Sequence, residues 1–268
     1  AILPVPFAAI AYPAPATLLS KGMHTSGTNP LNRAAQDFLD SVLRLKPKVA
    51  AFDCDGTLWS DDAGETFFDW EIETGLVSAE MGRAMRARYA DYRAGKVAEH
   101  VMCGEMVSMN AGIAEAVMIG AAAEFMTSVF PGCIFREMQE LVERLQKDGC
   151  EVWAVSASNE WVIRAGMKQF GVSEDRILAT KVAVEHGRLT DRLSRVPSGP
   201  GKPRVLREVA DNGVDAAFGN SRWDTEMLAA ARHPFAINPN ADLEANARSR
   251  GWTVYFPDGT GSRTHLSL

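Results

Sequence analysis

The chain has 268 residues, of which 46% are apolar and 23% are charged, so it can bury the core of one large domain or of a domain with an insertion. Its net charge of −6 argues against nucleic acid as a partner, because basic residues cluster only locally, at positions 83, 86, 88 and 93. The four cysteines contain no Cys-x-x-Cys pair, and we interpret them as small apolar side chains.

Residues 1–28 are predicted to form an apolar, proline-rich arm. The first 19 residues carry no charge, but four prolines would break a membrane-spanning helix: Pro4, Pro6, Pro13 and Pro15. No membrane span is therefore expected. The arm fits the remains of an export signal, the start of a secreted form, or a segment that packs on the domain or on a partner subunit. A cytoplasmic and an exported or periplasmic location both stay open.

The first predicted elements are a helix and a strand. Asn29-Pro30 opens a stretch with apolar residues at helical spacing, and Pro47 ends it. Residues 48–52 form a short apolar run that predicts a buried strand ending at two acidic residues. From residue 61 to about 128 the pattern is helical with no convincing strand, which predicts an all-helical insertion.

After Gly132, helices and strands alternate along the chain. An amphipathic helix is predicted around residues 135–145. Predicted strands follow at 150–155, 176–180 and 214–218, with short strands near 235 and 253 and a hairpin centred on Gly187. Further helices are predicted near 161–170, 204–210 and 224–231. This alternation predicts a mainly parallel sheet with helices on both faces.

Asp53 and Asp55 are the first candidate functional residues. Two carboxylates at one strand end repel each other unless a cation or a phosphoryl group neutralises them, so magnesium is the expected cofactor. An ordinary strand followed by an Asp-Gly turn is the alternative. A calcium-binding loop fits less well, because Gly56 is the fourth residue of the motif, where an EF-hand needs glycine at the sixth.

In a parallel sheet, the residues that follow separate strands meet at one edge. The sequence offers three such stretches, Asp53 to Thr57, Ser156 to Ser158, and Gly219 to Asp224. Lys202 lies between the last two, in a flexible loop just before a predicted helix. Together these residues supply the carboxylates, hydroxyls, amides and ammonium group that phosphoryl transfer requires.

These motifs resemble those of a known superfamily. Asp53-x-Asp55-Gly56-Thr57, Ser156 after an apolar strand, Lys202, and Gly219-Asn220-Ser221-x-x-Asp224 are similar in residues, order and separation to the four motifs of the haloacid dehalogenase (HAD) superfamily. The helical insertion resembles the cap of its phosphoserine phosphatase-like branch. The first motif is also similar to that of phosphorylcholine and phosphoethanolamine phosphatases.

The resemblance implies an α/β fold, with a HAD-like Rossmannoid parallel sheet, helices on both of its faces, and an inserted all-helical cap domain. The catalytic core would comprise residues 29–60 and 131–268, the cap residues 61–130, and the arm residues 1–28. The implied activity is the magnesium-dependent hydrolysis of a phosphomonoester through an aspartyl phosphate.

The resemblance also assigns roles to individual residues. Asp53 would be the nucleophile, and Asp55 would protonate the leaving oxygen and later activate water. The implied phosphate-binding residues are Gly56, Thr57, Ser156, Ala157 and Lys202, and the implied magnesium ligands are Asp53, Asp55 through its backbone carbonyl, Asn220 and Asp224. Asn220 departs from the family, which usually has Asp there, and this leaves the affinity for magnesium open.

Several of these residues also have an ordinary structural interpretation. Ser156 fits a strand-end turn, Lys202 fits a solvated side chain, and Asp224 fits the N-cap of a helix. We favour the catalytic interpretation because all of them occur together and in this order.

The insertion should select the leaving group by closing over it. Glu65 resembles the acid that holds the substrate amine in phosphoserine phosphatases, whereas the position of their carboxylate-binding arginine falls near Glu105 and Met106. The sequence therefore favours an amine without a carboxylate, such as phosphoethanolamine or phosphorylcholine. Six aromatic residues near Glu65 in the sequence fit either the walls of such a site or a helix core: Trp59, Phe67, Phe68, Trp70, Tyr89 and Tyr92.

The expected partner is a small-molecule phosphomonoester, and a monomer and a homodimer are both compatible with the sequence. Two other functions share the same motifs. One is a phosphotransferase that passes the group to an alcohol, and the other is a catalytically weak HAD-like module that binds a phosphorylated ligand.

Overall fold

The computed structural model describes residues 30–130 and 132–258, and the predicted arm at residues 1–28 lies outside them. The described residues from Asn32 onwards form one compact unit. No helix in the described ranges is both long and apolar enough to cross a membrane.

A seven-stranded sheet forms the centre of the molecule, with the strand order β4-β3-β2-β1-β5-β6-β7. The strands are β1 (Val49–Phe52), β2 (Glu151–Asn159), β3 (Ile177–Glu185), β4 (Arg188–Arg195), β5 (Ala216–Gly219), β6 (His233–Ile237) and β7 (Thr253–Tyr255). All neighbours pair in parallel except β3 and β4, which form the hairpin predicted around Gly187. The predicted α/β class is confirmed.

The described residues form ten α-helices. They are α1 (Arg33–Leu43), α2 (Ala63–Glu73), α3 (Ala79–Arg93), α4 (Glu99–Ser108), α5 (Glu115–Ser128), α6 (Arg136–Lys147), α7 (Glu160–Met167), α8 (Gly201–Arg207), α9 (Thr225–Ala230) and α10 (Ala241–Ser249). Short 3₁₀ turns lie at residues 168–170, 174–176 and 222–224.

The short apolar strand β1 lies in the middle of the sheet. Residues Ala50 to Phe52 are fully buried between β2 and β5, as expected for a parallel strand covered on both faces. The rings of Phe52, Phe218 and Phe235 stack in a row across β1, β5 and β6, with centroids 4.1 and 4.8 Å apart. This packing fixes the carboxyl end of β1, where Asp53 follows.

The insertion between β1 and α6 is helical, as predicted, and consists of α2 to α5. Asp62 caps α2 by accepting a hydrogen bond from the Glu65 amide, and Ser78 caps α3 in the same way. The helices share a cluster of apolar side chains, namely Phe68, Val77, Met85, Val97, Met102 and Met109. The helix α3 packs chiefly against α2 and α4 within the insertion.

Besides its two covalent connections to the core, the insertion contacts the sheet at a further place. The loop between α4 and α5 and the first residue of α5 hydrogen bond to the turn and the start of β4 in the β3–β4 hairpin. The bonds are Gly112 N to Leu189 O, Leu189 N to Ile113 O and Glu115 N to Gly187 O. In addition, α4 packs against β3 and β4. The boundary of a cap at residues 61–130 therefore stays a prediction.

Some element ends differ from the predicted ones. The helix predicted at 204–210 begins at Gly201, so Lys202 lies in the first turn of α8 and not in the loop before it. Pro203 is tolerated there because the first turn has no intrahelical partner for its backbone nitrogen. The strand predicted at 176–180 continues to Glu185, because it extends into the hairpin.

Candidate active site

The loop after β1 turns sharply at Gly56. Its φ of 76° is a left-handed conformation that glycine adopts most easily. A Cβ at this position would also lie 1.8 Å from the side-chain nitrogen of Asn220, so the two loops can meet only with glycine here. Asn238 donates a hydrogen bond to the Gly56 carbonyl at 3.1 Å. The loop is therefore held from two neighbouring strand ends.

Asp53 lies beside a buried lysine and a second carboxylate. Lys202 Nζ lies 2.6 Å from Asp53 Oδ1 and 2.6 Å from Asp224 Oδ1, and the Thr57 hydroxyl donates to Asp53 Oδ2 at 2.9 Å. Burial raises the pKa of Asp53 to about 7, with Asp224 adding to the effect and Lys202 opposing it. Burial alone would lower the pKa of Lys202, but Asp224 and Asp53 outweigh it and hold that pKa above its ordinary value.

Asp224 organises the loop after β5. Its Oδ2 accepts hydrogen bonds from the amides of Asn220 and Ser221, at 3.0 and 2.9 Å, and from the Ser221 hydroxyl at 3.1 Å. It makes no side-chain capping bond to α9, the helix that follows. The geometry thus differs from the alternative in which Asp224 is only the cap of α9.

Asp55 is oriented by three donors. Its Oδ1 accepts from the indole nitrogen of Trp59 at 2.8 Å and from the Ala63 amide at 2.7 Å, and its Oδ2 accepts from the Ser158 hydroxyl at 2.6 Å. Burial raises the pKa of Asp55, while Ser158, Trp59 and Ala63 oppose the increase. The two neighbouring aspartates therefore have different surroundings, one beside a cation and one among neutral donors.

The end of β2 brings two serines to the site. Its pairing with β3 is irregular between Val155 and Asn159, and such an irregularity changes the direction of side chains. Ser156 is 1% exposed, and its hydroxyl accepts from the Ser158 amide at 3.1 Å. Ser158 then reaches Asp55, a contact that the sequence motifs do not assign.

A cavity of about 380 Å³ lies between the sheet edge and the insertion. This is near the lower end of the range of about 300–1,000 Å³ for small-molecule sites. Seven predicted site residues line it, namely Asp53, Asp55, Glu65, Ser156, Ala157, Lys202 and Asn220. The other three, Gly56, Thr57 and Asp224, lie behind this lining and hold the residues that form it. The structure therefore brings the predicted residues to one place.

The insertion contributes acidic and aromatic side chains to this cavity. Of the six aromatic residues near Glu65 in the sequence, four line it, namely Phe67, Phe68, Tyr89 and Tyr92. Trp59 is fully buried against Phe130 and Phe170, and Trp70 packs on Phe67 and Phe125. Arg93, one of the basic residues that cluster in the sequence of the insertion, also lines the cavity.

The described residues contain no cluster of three or more His, Cys, Asp or Glu side chains placed to hold a metal ion. The predicted magnesium ligands are a different set, because they include the Asn220 side chain and a backbone carbonyl. Their chemistry fits a hard cation, since all the donors are oxygens. Asp53, Asp55 and Asp224 also bring three carboxylates to a site with one lysine, so a further positive charge would be favourable there.

Comparisons with known proteins agree with the motifs. The model of the haloacid dehalogenase-like hydrolase family matches residues 50–229. A histidinol-phosphatase of Neisseria meningitidis serogroup C (strain 8013) is 27% identical over 217 residues, which are 77% of this chain and 97% of that protein. A phosphoserine phosphatase of Mycobacterium tuberculosis (strain ATCC 25618 / H37Rv) is 28% identical over 148 residues, 53% of this chain and 47% of that protein.

Solved structures share the fold. A protein of unknown function from Bordetella pertussis Tohama I aligns with a TM-score of 0.69 and 26% identity, over 77% of this chain and 97% of its own. A substrate-bound phosphoserine phosphatase aligns with a TM-score of 0.54 and 17% identity, over 78% and 92% of the two chains, and this likeness concerns the fold alone. The predicted superfamily is confirmed: the chain belongs to the haloacid dehalogenase-like hydrolase family.

Proposed function

We propose that this phosphatase hydrolyses a small phosphomonoester with an amine in its leaving group, using magnesium and an aspartyl phosphate on Asp53. The observation that carries the proposal is the pairing of Asp53 with Lys202 at 2.6 Å, next to Asp55 with its three hydrogen-bond donors. In this proposal Asp53 attacks phosphorus and Asp55 moves a proton.

The chemistry has two steps. A carboxylate oxygen of Asp53 forms a bond to phosphorus while the bond from phosphorus to the leaving oxygen breaks, and Asp55 gives its proton to that oxygen. Asp55 then takes a proton from water, whose oxygen attacks phosphorus and breaks the bond to Asp53. The products are the free alcohol and inorganic phosphate, and both aspartates return to their first state.

The neighbouring groups would bind the phosphate. Ser156, the amide of Ala157 and the ammonium of Lys202 line the cavity and can donate to phosphoryl oxygens. Gly56 and Thr57 lie in the loop directly after Asp55. Magnesium held by the oxygens of Asp53, Asp55, Asn220 and Asp224 would neutralise phosphoryl charge.

The leaving group is proposed from the cavity wall that the insertion forms. Glu65 lies next to the Tyr89 hydroxyl, and four acids of the insertion line the cavity against one arginine, the exposed Arg93. An amine without a carboxylate finds acceptors among these acids, whereas the carboxylate of phosphoserine would have only Arg93 as a basic partner among the described residues of the insertion. Histidinol phosphate, which the name of the Neisseria relative indicates, is an ester with an amine and no carboxylate. Phosphoethanolamine and phosphorylcholine are also of this kind.

The test is phosphate release from a panel of phosphomonoesters, with magnesium and with a chelator. We expect magnesium-dependent hydrolysis of p-nitrophenyl phosphate and faster hydrolysis of the amine-bearing esters. No release from any ester in magnesium would contradict the proposal and favour a module that only binds phosphorylated ligands. Formation of a new phosphate ester in the presence of an added alcohol would instead show phosphotransfer.

A further inference from the structure

Two glutamates in the cavity wall have no role in the chemistry described above. Glu71 lies near the end of α2 and is 1% exposed, and Glu99 is the first residue of α4 and is 8% exposed. Both line the same cavity as Asp53 and Lys202. In each, the Oε2 atom is buried and has no hydrogen-bond partner among the described residues.

Buried carboxylates are normally paired, because removing a charge from water without a partner is costly. Within the described ranges neither glutamate forms a salt bridge, whereas Asp69, Glu73, Asp91 and Glu105 of the insertion do. Burial raises the pKa of Glu99 to about 7, with Lys202 opposing it, and raises the pKa of Glu71 well above its ordinary value, with Asn110 opposing it. Two unpaired carboxyl oxygens therefore lie in the lining of one cavity, and each carries a desolvation cost.

Packing explains how the two side chains come to this wall. Gly64, Phe68 and Glu71 share one face of α2, and Gly64 lies so close to the sheet edge that a Cβ there would be 2.3 Å from the Ser158 hydroxyl. Glu99, Cys103 and Met106 similarly share one face of α4. Two different helices thus bring a carboxylate each to the same cavity, with apolar and aromatic side chains beside them.

We propose that Glu71 and Glu99 form a second recognition site for the leaving group, which binds a basic nitrogen through its N–H donors. With Glu65 holding the first amine, the substrate is then a phosphomonoester of an alcohol with two basic nitrogens. The aromatic side chains Phe68, Tyr89 and Tyr92 offer flat faces to the ring or carbon chain that links the nitrogens. The inference rests on the proposed function, because it concerns the leaving group of that reaction.

Three esters test the site in the wild-type protein with magnesium. L-Histidinol phosphate carries two basic nitrogens, phosphoethanolamine carries one, and p-nitrophenyl phosphate carries none. We expect kcat/KM for histidinol phosphate to exceed that for phosphoethanolamine by about tenfold, because the loss of a hydrogen-bonding partner in a buried site costs about this much. Equal values would overturn the inference without any need for a variant.

Variants then locate the effect. In Glu71→Gln and in Glu99→Gln, the ratio of kcat/KM for histidinol phosphate to that for p-nitrophenyl phosphate should fall about tenfold, whereas an effect on folding alone would lower both values together. Glu73→Gln is the matched control, because Glu73 lies on the same helix with a 71% exposed side chain. Unchanged ratios in both test variants would overturn the inference, and no hydrolysis of p-nitrophenyl phosphate by the wild type would overturn the proposed function itself.

Discussion

The ammonium nitrogen of Lys202 lies 2.6 Å from Oδ1 of Asp53, although 149 positions separate the two residues in the chain. Both side chains are almost completely buried. The pair forms because β1 ends and α8 begins at the same edge of the sheet. It fixes one oxygen of Asp53, while Thr57 fixes the other.

Asp53→Asn should abolish turnover. The substitution keeps the shape of the side chain and can still accept a hydrogen bond from Lys202, but an amide oxygen is a poor nucleophile toward phosphorus. The measurement is the hydrolysis of p-nitrophenyl phosphate, together with circular dichroism to verify the fold. Hydrolysis at the wild-type rate would mean that phosphoryl transfer does not use Asp53.

Asp55→Asn should reduce kcat by about 10² to 10⁴, the usual contribution of a positioned acid or base. Ser158→Ala should reduce it less, because Asp55 keeps the hydrogen bonds from Trp59 and Ala63. Steady-state kinetics on one ester compares the two variants. A larger loss in Ser158→Ala than in Asp55→Asn would contradict the assignment of the proton to Asp55.

Asp224→Asn should raise the magnesium concentration needed for half-maximal activity by about tenfold or more, which corresponds to about 1.4 kcal/mol of lost attraction. Asparagine keeps an oxygen that accepts from the Asn220 and Ser221 amides, so the loop should persist. The experiment is a titration of activity with magnesium. The exposed Asp37 provides the control variant Asp37→Asn, and an unchanged midpoint in Asp224→Asn would exclude Asp224 as a ligand.

Glu65→Gln should reduce the preference for phosphoethanolamine over phosphoserine, because it removes the charge that attracts the amine. In the wild type we expect a ratio of the two kcat/KM values above one. Arg93→Gln is the complementary variant, since Arg93 is the basic residue of the insertion that lines the cavity. A wild-type ratio below one that Arg93→Gln raises would show that the arginine binds a substrate carboxylate.

Glu71→Gln should change how stability depends on pH. The unfolded carboxyl group ionises near its ordinary pKa of 4.5, whereas burial raises the pKa of folded Glu71 well above it. The wild type therefore loses stability as pH rises above the unfolded pKa, until the folded group also ionises. Glutamine does not titrate, so the variant should gain stability relative to the wild type by up to about 1.4 kcal/mol per pH unit in that window. Urea unfolding at several pH values measures this difference, and parallel curves for the two proteins would contradict it.

Sequence reasoning succeeded where chemistry lies in local motifs. The strand before Asp53 and the alternation after Gly132 follow from apolar patterning, and they were enough to predict the sheet. The superfamily was predicted from the resemblance of the four motifs. Lys202 was identified by its order among the motifs, although its place inside α8 was missed because the residues before it were interpreted as a flexible loop.

The residues that sequence reasoning missed act across long separations. Ser158 reaches Asp55 over 103 positions, through an irregularity in β2 that no motif marks. Glu71 and Glu99 belong to different helices, and their burial depends on how those helices pack. A glutamate on a helix is ordinarily solvated, so only the packed structure shows that these two are not.

The backbone hydrogen bonds between the α4–α5 connection and the β3–β4 hairpin restrict the motion of one part of the insertion. They hold α4 to the sheet, and the close approach of Gly64 to Ser158 holds α2 there as well. The helix α3, which carries Tyr89, Tyr92 and Arg93, packs chiefly on those two helices, so we expect α3 to be the part of the insertion that moves when a ligand enters the cavity. Glu71 and Glu99 lie on α2 and α4 and would then stay in place while α3 moves. Binding a ligand would therefore cost little conformational entropy in these two side chains.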